Sequence, residues 1–473
     1  MTRLFPTFVL LACLAFAAPA ADLPDLGDVA AGEFSPAQER QLGEEIMREV
    51  RHDPAWLDDP ETEEYIDCLG QRLAAASADP SRRFEFFVVK DATLNAFALP
   101  GGYIGVHSGL ILAAQSESEL AGVLGHEIGH VTQRHIAQLI GKQKQLSMMM
   151  LASLLVALVA NDSRASEAAL AAGAAGTMQA QLAYTRDFER EADRAGLQTL
   201  EGAGFDARGM AGFFGRLQRA SRLYENNAPT YLRTHPLTTE RIADMENRVM
   251  NMRYRQVPDS ADFRYVQARL RVMAMPAADM ARTFAGLVAG SPGDMAARYG
   301  LTLAQLRLGR LDEAARGVDE LRRRAEPSPF VATLGAELSV ARRDYVAAIE
   351  TLAAASRKFP SSRSVVYALL DAQIAGGRAA DAEQGARRAL VGHGGDIRLW
   401  QLLSRANAAL GKRVAQHRAQ AEVYVLQGAY RAAVEQLELA RKTGGGDFYE
   451  LSAADARLRE IRDRMRDEQK QAR

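Results

Sequence analysis

The sequence predicts a mainly α protein in two parts, an α+β domain with a small sheet followed by an all-α solenoid of helical repeats. Three observations carry this. Phe84-Glu85-Phe86-Phe87-Val88-Val89 is aromatic and β-branched between polar flanks, as a strand would be. Asn95 to His107 reads as two extended pieces around the turn Pro100-Gly101-Gly102. Beyond about residue 259 the chain is rich in Ala, Leu and Arg, and a small or polar turn residue recurs every 34 residues.

The 473 residues exceed one compact core, so at least two domains are expected. With 58 Lys+Arg against 59 Asp+Glu, no polyelectrolyte partner is indicated, and neither a basic stripe nor an aromatic platform suggests nucleic acid.

Arg3 precedes an apolar run from Leu4 to Ala17 that ends in Ala17-Ala18-Pro19-Ala20-Ala21, the layout of a cleavable secretory leader. We expect a leader over 1–20 and an acidic linker over 21–34. Leu10-Leu11-Ala12-Cys13 faintly resembles a lipoprotein box, so lipid attachment at Cys13 is the weaker alternative. If Cys13 leaves with the leader, only Cys68 remains and no internal disulfide can form.

Residues 35–258 form the expected first domain. Ser116-Glu117-Ser118-Glu119 has a capping-box pattern, and the spacing predicts one helix from there to about Ile140. Within it lies His126-Glu127-Ile128-Gly129-His130. Four residues at about 100° each stack His130 above His126, so both imidazoles can reach one tetrahedral metal, for which zinc is expected. Glu127 lies just off that face, where it can take a proton from an attacking water and pass it to a leaving amine. His135 falls roughly 140° around the same helix, which suits a surface or supporting histidine better than a ligand.

A third ligand is expected from a carboxylate on a second helix. In Arg186-Asp187-Phe188-Glu189-Arg190-Glu191-Ala192-Asp193, Glu189 and Asp193 share a face and Glu191 points nearly opposite. Glu189 is therefore assigned to the metal, and Asp193 to a hydrogen bond that fixes the tautomer of a ligating histidine.

The remainder, 259–473, repeats the pattern Gly309/Leu311/Ala314, Arg343/Tyr345/Ala348 and Gly377/Ala379/Ala382. Gly411 is in register for a fourth unit, and Gly428-Ala429-Tyr430 repeats the pattern out of register. The period resembles that of tetratricopeptide repeats, two helices per unit. Leu458, Ile461 and Met465 give the last segment one apolar face, as a capping helix needs. Met148 to Ala160 is apolar on all sides but only 13 residues long, too short to span a bilayer. It is expected to cover the active-site cleft or to meet hydrophobic clients, with membrane insertion or a peripheral membrane contact as the alternative.

The His126–His130 motif, Glu189-x-x-x-Asp193, Asn95-Ala96-Phe97-Ala98-Leu99-Pro100-Gly101-Gly102 and Thr234-His235-Pro236-Leu237 together resemble the gluzincin peptidase family that includes HtpX and the CAAX prenyl proteases. With the leader and the repeats, the resemblance extends to periplasmic members of that family. It implies a zinc endopeptidase whose edge strand takes up an extended substrate. It also implies that His235 can fill the fourth zinc position at rest, and that Arg241 acts with His235 to stabilise an oxyanion. The implied clients are unfolded or misassembled outer-membrane β-barrel proteins, and the repeats would contact these or the β-barrel assembly machinery. A second expectation is a chaperone or adaptor whose peptidase is normally latent.

Overall fold

The computed structural model describes residues 34–142, 186–222, 230–443 and 448–471. The leader, the Cys13 box and the apolar run 148–160 lie outside them.

Helix α1 (Pro36–Val50) starts at a full capping box from Ser35 and Gln38. Helix α2 (Pro60–Ala74) starts at Asp59, whose carboxylate accepts the Thr62 amide. Three strands follow, β1 (Glu85–Val89), β2 (Ala96–Leu99) and β3 (Tyr103–His107). Their order is β1-β3-β2, with β1 parallel and β2 antiparallel to β3. Gly101 and Gly102 take φ of 82° and 90° in the β2–β3 turn, a region open chiefly to glycine. The outer side of β1 is covered by the segment around Trp56, which bridges Val89. Among the described residues no strand pairs with the outer side of β2.

Helices α3 (Ser108–Ala113) and α4 (Glu117–Thr132) follow the sheet. Only half of the expected capping box forms. Ser116 caps the Glu119 amide, but the Glu119 carboxylate turns to the Gln115 amide and to Arg216. The expected single helix to Ile140 is also corrected. It breaks at Gln133 and Arg134, the latter with φ of 55°, and α5 (His135–Lys142) starts on a new axis. The bend is held by Arg134, which donates to the Phe34 carbonyl at 2.7 Å and faces the buried Glu39 carboxylate at 3.6 Å.

Helix α6 (Arg186–Gly202) crosses α4 at glycines. A Cβ on Gly129 would lie 2.9 Å from the Ala192 carbonyl, and one on Gly196 would lie 2.9 Å from the His126 nitrogen. The small residues beside the histidines therefore let two backbones touch, which draws the α6 carboxylates to the α4 imidazoles. Helices α7 (Arg208–Arg222), α8 (Thr230–Thr234) and α9 (Thr239–Asn251) close this half.

Helices α10 (Ala261–Ala274) and α11 (Ala277–Gly290) lead into the repeats. These are the helix pairs α12 (Met295–Arg307) and α13 (Leu311–Arg324), α14 (Pro329–Ala341) and α15 (Tyr345–Lys358), and α16 (Arg363–Ala375) and α17 (Ala379–Gly392). Then come α18 (Ile397–Ala409) with α19 (Arg413–Leu426), and α20 (Tyr430–Lys442) with α21 (Phe448–Gln471). The fold is thus mainly α, an α+β part followed by a helical solenoid.

The periodic turn residues have one conformation in common. Gly309, Arg343, Gly377 and Gly411 have φ of 71°, 62°, 76° and 72°, and the out-of-register Gly428 has 75°. Arg343 is the one non-glycine in this set, and a side chain in this region costs about 1–2 kcal/mol. Arg343→Gly is expected to stabilise the protein by about 0.5–1 kcal/mol net of the glycine's extra chain entropy, read as a higher urea midpoint at unchanged slope.

The solenoid docks along α2. Arg269 of α10 is buried and meets the Asp59 carboxylate at 2.8 Å and Glu61 at 3.0 Å. Further along, Glu64 accepts the Ser364 amide at 2.7 Å, Arg363 pairs with Asp67 at 2.8 Å, and Arg398 pairs with Asp58.

Candidate metal centre

Four donors converge where α4, α6 and α8 meet. His126 Nε2 lies 3.0 Å from His130 Nε2, 3.4 Å from His235 Nδ1 and 3.5 Å from Glu189 Oε2. Glu189 Oε1 lies 3.4 Å from His130 Nε2 and 3.0 Å from His235 Nδ1. All four residues are at most 1% exposed. They are the one group of potential metal ligands found among the described residues.

The spacing fits a metal ion. Zinc–nitrogen bonds of about 2.0–2.1 Å place tetrahedral ligand atoms about 3.3 Å apart, close to every separation above. Imidazole lone pairs brought this near one another in a dry interior need a cation or a shared proton between them.

The electrostatics agree. Burial lowers the His126 pKa, but Asp193 and Glu189 outweigh it and lift the ring to about 9, so this position favours positive charge. Burial raises Glu189, yet His235, His126 and His130 hold its carboxyl well below the usual range. His130 is held well below the usual imidazole value by burial, with His126 and His235 adding to the shift against the opposing Glu189 carboxylate.

Asp193 lies 3.0 Å from His126 Nδ1, on the side away from the cluster. Burial raises its carboxyl, and Arg241 and His126 more than reverse that. Arg241 donates to both Asp193 oxygens at 2.8 Å and to the Pro236 carbonyl at 2.6 Å, and it meets Glu189 Oε2 at 2.7 Å. Its guanidinium is thus largely spent on the protein's own acceptors.

Glu127 is fully buried, and neither of its oxygens accepts a well-formed hydrogen bond. Burial raises its carboxyl, opposed by His235, His126 and the Ala98 amide. That amide belongs to the open edge of the sheet. The His107 amide donates to the Asn95 carbonyl, so Asn95, Phe97 and Leu99 face β3, while Ala96 and Ala98 turn their N–H and C=O groups outward.

Sequence reasoning missed two aromatic walls of the site. Tyr231 stacks on His235 at 4.6 Å and on Phe214 at 5.8 Å, and its amide donates to the Leu94 carbonyl. Phe214 is edge-on to His126 at 5.6 Å. Tyr231 falls four residues before His235, one helical turn away, the only sequence signal that could have marked it. His135 is fully buried, which removes the surface reading. Because the helix breaks before it, the 140° argument does not apply. It folds back to 2.8 Å from His130 and touches Glu191, the residue placed on the far face of α6.

Residues 60–249 match the model of peptidase family M48, so the fold and this site define a metallopeptidase. A Vibrio cholerae protein is 35% identical over 460 residues, covering 92% of each chain. The β-barrel assembly-enhancing protease of Escherichia coli (strain K12) is 32% identical, covering 95% of this chain and 93% of that one. The mitochondrial metalloendopeptidase OMA1 of Arabidopsis thaliana is 32% identical over 41% of this chain and 38% of its own length. The chain belongs to the β-barrel assembly-enhancing protease family and is a metalloendopeptidase.

Proposed function

We propose that this chain is a periplasmic zinc endopeptidase that removes misfolded or stalled outer-membrane β-barrel proteins during their assembly. The single observation that carries the reading is the buried cluster of His126, His130, Glu189 and His235, with the buried Glu127 carboxylate 3.6 Å from His235 Nε2. The proposed order along the chain is a leader over 1–20, a linker over 21–34, the peptidase domain over 35–258 and the repeats over 259–473. The names of the full-length relatives support the link to β-barrel assembly, and the repeats offer a surface for clients or for the assembly machinery.

Zinc, when bound by His126, His130 and Glu189, would supply Lewis-acid polarisation of a peptide carbonyl. Glu127 accepts the proton of the attacking water and returns it to the leaving amine. The outward groups of Ala96 and Ala98 take an extended substrate as a further strand, which gives sequence-tolerant binding next to Glu127. Asp193 orients His126, and Arg241 braces Asp193 and Glu189.

With His235 Nδ1 3.4 Å from His126 Nε2 and 3.0 Å from Glu189 Oε1, His235 would serve as a fourth ligand, and the resting enzyme would be latent until α8 yields. This favours a second reading, in which chaperone or adaptor work by the repeats dominates at rest. His235→Ala is expected to raise cleavage of an unfolded β-barrel protein by about tenfold or more, because the competent form no longer has to be drawn from a minor population. Unchanged cleavage in that variant would mean that His235 does not gate the site. The test of the proposed function is digestion of a urea-unfolded outer-membrane β-barrel protein against the same protein folded in detergent. Selective loss of the unfolded form supports it, and equal resistance of both, also with His235→Ala, would sink it.

A further inference from the structure

His135 and Glu191 have no part in the mechanism above, yet they form a continuous path from solvent to a metal ligand. His130 Nε2 faces the other ligand atoms, 3.0 Å from His126 Nε2. If that nitrogen gives its lone pair to a metal, the ring proton must sit on Nδ1. His130 Nδ1 lies 2.8 Å from His135 Nδ1. One of these two nitrogens must accept, and with the His130 proton committed to Nδ1 the acceptor is His135. A His135 protonated on both nitrogens would set two N–H groups against each other. Its single proton is therefore on Nε2, which is 3.1 Å from the Glu191 carboxylate.

We infer that His135 and Glu191 are positioning residues that fix the tautomer and orientation of His130 through a carboxylate–imidazole–imidazole chain. The inference rests on the reading of His130 as a zinc ligand. Asp193 does the same for His126 directly, so each α4 ligand has its own support. The two supports differ in setting, because Asp193 is buried against Arg241 while the Glu191 side chain is 52% exposed.

The local structure is built for this contact. Arg134 takes φ of 55°, which ends α4 and turns His135 back toward His130. His135 then stacks on Phe188, ring centroids 4.4 Å apart and planes within 13°. Phe188 adjoins Glu189, so the stack ties the supporting ring to the helix that carries another ligand.

The test is competition for zinc between the full-length protein and a chromophoric chelator, with thermal unfolding of the zinc-free forms alongside. His135→Phe keeps the stack on Phe188 and removes both nitrogens, and it is expected to weaken zinc binding about 10–100-fold. His135→Gln restores an acceptor toward His130 and is expected to recover most of that loss. Glu191→Ala, at an exposed position, should shift affinity the same way by a smaller factor, with zinc-free unfolding unchanged. Parent-like zinc affinity in His135→Phe overturns the chain and leaves the peptidase reading standing. Weakened zinc binding that His135→Gln fails to recover, with lowered zinc-free unfolding in each variant, also overturns it by showing a packing role. A parent protein that binds no zinc overturns this inference together with the metallopeptidase reading, and the parent measurement tells the cases apart.

Discussion

Glu127→Gln is expected to lower kcat/KM for an unfolded protein substrate by about 10²–10⁴-fold, the range associated with a general base. The amide keeps the shape of the carboxylate but cannot take a proton from water. Nothing else at the site should change. Neither Glu127 oxygen holds up a neighbour through a well-formed hydrogen bond, and the ligand atoms belong to other residues. Zinc content and melting temperature should therefore match the parent. Burial already disfavours the charged form, so replacing it by a neutral amide carries no large folding penalty. A variant that kept parental kcat/KM would remove Glu127 from the reaction. One that lost zinc as well as activity would show a structural role instead.

The second large effect is on the fold. Arg269→Leu is expected to destabilise the protein by about 3–5 kcal/mol, because it leaves Asp59 and Glu61 buried without their cation. Arg269 is 6% exposed, with Tyr299 Oη 3.3 Å and Glu337 3.6 Å away. Asp59 has two duties there, since it also caps α2. The loss should therefore loosen the dock between α2 and the solenoid as well as lower the urea midpoint. Restoring neutrality with Asp59→Asn and Glu61→Gln in the same chain should return much of the stability, because the penalty comes from unpaired charge. A change below about 1 kcal/mol for Arg269→Leu would mean that the cluster is solvated and that the dock rests on apolar packing.

The candidate metal centre was legible to different depths. His126, Glu127 and His130 follow from helical spacing alone, and Glu189 and Asp193 from the same rule applied to a second helix. What joins the two helices was written less openly, in Gly125, Gly129 and Gly196, whose missing side chains allow the crossing. His235 lies 109 residues from His126, and no local pattern connects them. Only the resemblance carried by Thr234-His235-Pro236-Leu237 brought it into the set.

The break after α4 was not legible. Val131-Thr132-Gln133-Arg134-His135 contains neither Gly nor Pro, and arginine seldom adopts a positive φ. The conformation is imposed from outside, by Phe34 and Glu39 acting on Arg134 and by His130 acting on His135. The repeat turns were the opposite case. A 34-residue recurrence of a small or polar turn residue identified them, glycine at three of the four positions and Arg343 at the other, and all four have positive φ. Arg269 with Asp59 marks the limit of such reading, since a pair 210 residues apart leaves no periodic trace.

The most direct test of the central claim is the zinc stoichiometry of the purified protein by native mass spectrometry, with Glu189→Ala as the comparison. The account predicts one zinc per chain in the parent and its loss, or easy removal by chelator, in the variant. A parent free of zinc after purification and unable to take it up, or a Glu189→Ala protein holding one zinc as tightly as the parent, would contradict it.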